Sequence, residues 1–132
     1  MLQGEFFKII SSELLPDGAT ISGSQSISAL VSLDPGHPIY GGHFPGNPVV
    51  PGVCQVQMVR EALEILMDVK GMLVAADNIK FLNMIVPSEH PVVAIDYTVK
   101  PPETGNLHFS AILRDNETIF MKFKGTLCIK PY

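Results

Sequence analysis

Gly42-His43-Phe44-Pro45-Gly46-Asn47-Pro48-Val49-Val50-Pro51-Gly52-Val53 is the stretch from which the rest of the chain can be read. From Gly41 to Gly52 it sets four glycines and three prolines around one histidine. Proline fixes φ and glycine admits backbone that other residues avoid, so the composition predicts a rigid, unusually shaped loop. At Val53 the pattern changes abruptly to an apolar, helix-forming run. A rigid loop that presents His43 and then delivers a helix N-terminus combines an imidazole base with backbone N–H donors and a favourable dipole.

The helix predicted from that start runs over about 53–69. Apolar residues recur at 56, 59, 62, 63 and 66 and at 58, 62, 65 and 69, which makes a wide buried arc. Gln57, Arg60, Glu61, Glu64 and Asp68 share the narrower polar side. Gly71 follows as a natural stop. So apolar a helix needs a wrapper, and the remaining sequence supplies strands. Before the loop, residues 5–10 are strand-like, and 19–33 alternate in part after the Pro16-Asp17-Gly18 turn. After the helix come Leu73–Leu82, with Asn83–Val86 continuing past a kink, then Val92–Lys100, Leu107–Arg114 and Thr118–Ile129. In the last strand Ile119, Met121, Phe123, Gly125 and Leu127 form an apolar set, against a mixed set of Phe120, Lys122, Lys124, Thr126 and Cys128. Two strands, one long helix and several antiparallel strands describe an α+β domain, a curved sheet around a central helix.

The totals agree. A chain of 132 residues suits a single domain, 1–132, with a sizeable core. A net charge of −4 and nine scattered basic residues argue against a nucleic-acid partner. No apolar run reaches the ~18 residues of a membrane span and no charged leader precedes one, so the chain reads as cytoplasmic and reduced. Cys54 and Cys128 form no metal pattern. At a helix start Cys54 could carry a lowered pKa, while the plainer reading is a small buried residue. His37 and His43 lack a third ligand, so no metal site is expected. His90 and His108 read as structural.

The opening stretch resembles the signature loop of 3-hydroxyacyl-[acyl-carrier-protein] dehydratases of the hotdog fold: His-Phe-Pro-Gly-x-Pro, two hydrophobic residues, then Pro-Gly. Asn78–Pro87 and Met121–Gly125 are similar, more weakly, to that family's segments after the helix and in the closing strand. The resemblance implies a homodimer or trimer of dimers, paired sheet edge to sheet edge, with the active site in a tunnel between chains. It implies dehydration of a 3-hydroxyacyl thioester on acyl carrier protein to a trans-2-enoyl thioester in fatty-acid or related lipid or polyene biosynthesis. No cofactor is expected beyond the phosphopantetheine that carries the substrate.

His43 would then take the α-proton, and N–H groups around Gly52 and Val53 would hold the thioester oxygen. Phe44, Pro45, Pro51, Val53 and Phe81 would touch the substrate, while Met58, Leu63, Phe81, Leu82 and Met84 could line the acyl tunnel or simply pack the core. The family's acid, a Glu or Asp on the helix of the other subunit, falls on Gln57 here. An amide donates a hydrogen bond but has no proton to give at neutral pH. Glu61 lies a turn further on, displaced by about 6 Å, and reads as a solvated or subunit-facing charge. Two other readings follow from that departure: an acyl thioesterase on the same fold, or a weakly active or non-catalytic subunit pairing with another hotdog dehydratase. Lys122, Lys124 and Arg60 read as ordinary solvated charges, or as a docking patch for acidic carrier protein.

Overall fold

The computed structural model describes residues 6–14, 24–37 and 49–129. Six strands and one helix follow in the order β1 (Phe7–Leu14), β2 (Gln25–Leu33), α1 (Gly52–Met67), β3 (Gly71–Phe81), β4 (Val92–Val99), β5 (Asn106–Asp115) and β6 (Thr118–Ile129). All neighbouring strands are antiparallel, in the order β1-β2-β4-β5-β6-β3. The chain therefore leaves the sheet after β2, runs through α1 and re-enters at the opposite edge as β3. The helix backbone comes nearest to the two edge strands, so the sheet curls around it. One helix held in a curled antiparallel sheet is the hotdog arrangement.

Alternation decides which side faces the helix. Val93, Ile95, Tyr97 and Val99 of β4 are buried, as are Leu107, Phe109, Ala111 and Leu113 of β5 and Met121, Phe123 and Leu127 of β6. They pack on Met58, Val59, Ala62 and Leu63 of α1 in one core. The Tyr97 hydroxyl donates to the Val59 carbonyl at 2.7 Å, tying the helix to the middle of the sheet.

Several expectations change. The helix ends at Met67, two residues early, because Asp68 takes the left-handed conformation (φ 53°, ψ 50°) and its N–H and that of Val69 close back on Ile65 and Glu64. Gly71 is then the first residue of β3, where a Cβ would lie 3.2 Å from the Cys128 carbonyl oxygen. The first strand extends to Leu14 rather than Ile10. Asn83–Val86 does not continue β3: it is an irregular connector held by side bonds. Phe120, placed in the mixed set, is fully buried, because the ladder shifts opposite it: Leu113 pairs with Met121 and Arg114 with Ile119. The extra residue in β6 turns its ring inward, edge-on to His90.

Candidate active site at the N-terminus of the central helix

Pro51 stands at the N-cap of α1 in an extended conformation (φ −60°, ψ 147°), and among the described residues no side chain caps the helix. The N–H groups of Cys54 and Gln55 close on the Pro51 carbonyl. Those of Gly52 and Val53 have no acceptor among the described residues. Free N–H groups at a helix start concentrate its positive end and suit a developing oxyanion.

That end is held rigidly. The Val50 N–H donates to the Ile85 carbonyl at 2.8 Å, and the Gln55 amide donates to the Val50 carbonyl at 3.2 Å. The connector supplying Ile85 is itself braced to β6. Leu82 N–H donates to the Phe120 carbonyl, and the Asn83 side chain donates to the Ile119 carbonyl at 2.8 Å. Between these segments opens a cleft of about 400 Å³, lined by Val49, Val50, Pro51, Gly52, Gln55, Phe81, Leu82, Asn83 and Met84. Its lining is mostly apolar, with bare helix-start backbone on one wall.

At Gly52 the helix start and a side chain of β3 approach closely. A Cβ there would sit 2.9 Å from Cζ of Phe81. Gly52, Pro51 and Phe81 therefore meet at one place, and Val53 stands 73% exposed beside them. His43, Phe44 and Pro45 lie outside the described residues. Of the tunnel candidates, Phe81, Leu82 and Met84 line the cleft, whereas Met58 and Leu63 are fully buried core residues.

Gln57 does not line this cleft; it lies on another side of α1, where its Nε2 donates to Oε2 of Glu61 at 2.8 Å. Glu61 is only 3% exposed, which overturns its reading as a solvated charge. Arg60 is paired with Glu64 at 2.9 Å, while Lys122 and Lys124 are exposed. Cys54 is buried, and burial pushes its thiol pKa up, the reverse of an activated nucleophile. His90 has a carboxylate after all, with Nδ1 2.6 Å from Oδ2 of Asp115, and His108 Nδ1 lies 2.9 Å from the Thr126 hydroxyl. Among the described residues no group of His, Cys, Asp and Glu could hold a metal ion, and no helix is long and apolar enough to cross a membrane.

Gln55 escaped the sequence reading. It is buried, braces Val50, lines the cleft, and leaves its Oε1 without a partner among the described residues. The available signal was a polar residue between apolar ones on the buried arc.

With this geometry in hand, comparison with known proteins is decisive. The ApeI-like family, described as ApeI dehydratase, matches residues 20–124. The chain belongs to the ApeI-like dehydratase family. Among the relatives of this ApeI-like protein is the 3-hydroxyacyl-[acyl-carrier-protein] dehydratase FabZ of Syntrophomonas wolfei. It is 33% identical over 93 residues, which cover 65% of this chain and 60% of that one. The corresponding protein of Caulobacter vibrioides is 31% identical over 110 residues, 76% of this chain and 59% of its own. The ApeI-like chain thus spans about three-fifths of the length of these relatives. Among solved structures, the dehydratase heterocomplex ApeI:P from Xenorhabdus doucetiae matches at a TM-score of 0.59 and 22% identity, over 91% of this chain and 96% of that one. A thioesterase enzyme from Staphylococcus aureus matches at 0.55 and 12% identity, over 91% and 93%. At such identities these two structures establish the shared hotdog fold of the ApeI-like chain.

Proposed function

We propose that this protein dehydrates 3-hydroxyacyl thioesters carried on acyl carrier protein, giving trans-2-enoyl thioesters. The observation that carries the reading is the apolar cleft at the uncapped start of α1, placed directly after the His-Phe-Pro-Gly signature. Gly52 and Val53 would hold the thioester oxygen with their N–H groups, while the pantetheine arm and acyl chain run past Phe81, Leu82 and Met84. Negative charge stabilised on that oxygen acidifies the α-carbon, and His43 removes its proton. The carbon–oxygen bond at C3 then breaks, the double bond forms and water leaves. Gln57 does not line the cleft of its own chain, so the Gln57 of a second copy would meet the departing hydroxyl, and it cannot protonate it. The proton that His43 takes up is therefore the one returned to the leaving oxygen. The elimination is redox-neutral, and its phosphopantetheine arrives with the substrate.

The test is incubation of purified protein with a 3-hydroxyacyl carrier protein, following loss of one water by mass spectrometry. His43→Ala should abolish turnover, and activity that survives it refutes the assignment. Release of free thiol instead of water identifies a thioesterase.

A second reading is favoured by the position of Gln57 on a side of the helix away from its own cleft. Gln57 would then serve a neighbouring chain's site, as in a homodimer. In a heteromer a second hotdog chain would supply the missing carboxylate. The similarity to one component of the Xenorhabdus doucetiae heterocomplex supports that arrangement. Co-purification with a second hotdog chain, and turnover only by the pair, would select it.

A further inference from the structure

Val53, Gln57 and Glu61 form one stripe on α1, spaced four residues apart, and it runs from solvent into the interior. Val53 is 73% exposed, Gln57 half-buried and Glu61 3% exposed. Glu61 lies among Met58, Ala62 and Leu63, each fully buried. A carboxylate in such surroundings is costly unless hydrogen-bonded, and the Gln57 amide at 2.8 Å is one of its partners. Glu64, three residues further on, makes an ordinary partly exposed pair with Arg60 and needs no such account.

The bond constrains Gln57 as much as Glu61. A glutamine amide alone can sit either way round, because exchanging its O and N preserves its shape. Beside a carboxylate only one orientation is attractive, since the flipped amide would set Oε1 against Oε2, acceptor against acceptor. We propose that Glu61 is a positioning residue: it locks the Gln57 amide so that Oε1 and the second N–H face outward, toward the 3-hydroxyl of the substrate. A hydroxyl both donates and accepts, so a fixed amide orders it where a flipping one does not. This rests on the dehydratase reading and on Gln57 meeting the hydroxyl.

The test compares kcat and KM for 3-hydroxyacyl carrier protein in Glu61→Gln, Gln57→Glu and the exchange Gln57→Glu/Glu61→Gln, with Glu64→Gln as control. Glu61→Gln should lower kcat by about 10- to 100-fold with little change in KM, the scale expected when a positioned group is loosened. Glutamine keeps the shape of Glu61 and one acceptor oxygen, so the folded fraction at the assay temperature should stay at the wild-type level. Gln57→Glu alone puts a carboxyl at the family's acid position, where the Glu61 carboxylate beside it favours the protonated form, so kcat should rise. In the exchange that neighbour is an amide, and kcat should fall below that of Gln57→Glu. Glu64→Gln should match the wild type. An unchanged kcat in Glu61→Gln, or a loss matched by loss of folded protein, overturns the proposal. A wild type that neither turns over nor binds the substrate overturns the dehydratase reading instead. The Gln57 side-chain NH₂ resonances still decide the lock: one conformer in the wild type against exchange in Glu61→Gln supports it, and identical spectra refute it.

Discussion

Gly52→Ala tests the cleft directly, because the structure specifies what the new methyl would strike. Its Cβ would lie 2.9 Å from Cζ, 3.1 Å from Cε1 and 3.4 Å from Cε2 of Phe81. Reaching the ~3.5–4.0 Å optimum for carbon contacts requires the ring tip to retreat by about 0.6–1.1 Å. Phe81 is 52% exposed, so its ring has room to move, at a cost of about 0.5–1.5 kcal/mol for an off-rotamer side chain. Alanine over glycine in a helix returns up to about 1 kcal/mol. Stability should therefore change by less than about 1 kcal/mol, a Tm shift of about 4 °C or less. The displaced ring is a wall of the cleft. KM for the carrier-bound substrate should rise about fivefold or more, equivalent to about 1 kcal/mol of binding. The assay is a double-mutant cycle with Phe81→Ala, reading both KM and Tm. If the ring transmits the effect, Gly52→Ala should hardly alter KM once the ring is gone, a coupling of about 1 kcal/mol. An equal rise in KM in both backgrounds would refute the reasoning.

Two further outcomes concern how the helix is held. Tyr97→Phe removes the buried bond to the Val59 carbonyl without changing the ring's packing, and should cost about 1 kcal/mol in urea unfolding at an unchanged m-value. Burial raises the pKa of Cys54 from 9.0 and raises that of Tyr97 well above 10.0. The folded state therefore holds protons that the unfolded chain releases, and stability should be level up to about pH 9 and fall as pH rises beyond it. Tyr97→Phe should flatten that fall above about pH 10, as measured by urea midpoints across pH; a fall of equal steepness would contradict the burial argument.

Much of this molecule is written in local pattern. The 3.6-residue arc beginning at Val53, the alternation in β4 and β6, and the glycine–proline loop before them each report a short-range cause: helical periodicity, the two-sidedness of a strand, and fixed backbone angles. These place the helix to within two residues and mark out the strands along the chain; Pro51, Gly52 and Phe81 are singled out only by the resemblance. What pattern could not reach is what distant segments do to one another. Nothing near Asn83 says that residues 83–86 leave the sheet, because the bonds holding them come from Ile119, Phe120 and Val50. Phe120 faces inward only because the ladder slips across from it. Met58 and Leu63 could have lined a tunnel, until the curled sheet closed over them. Glu61 shows the division most plainly. Periodicity put it on the polar side of α1, a local property of the helix. The surrounding chain buries Glu61 on that side, and only there do Gln57 and Glu61 become a partly buried hydrogen-bonded pair rather than two solvated side chains.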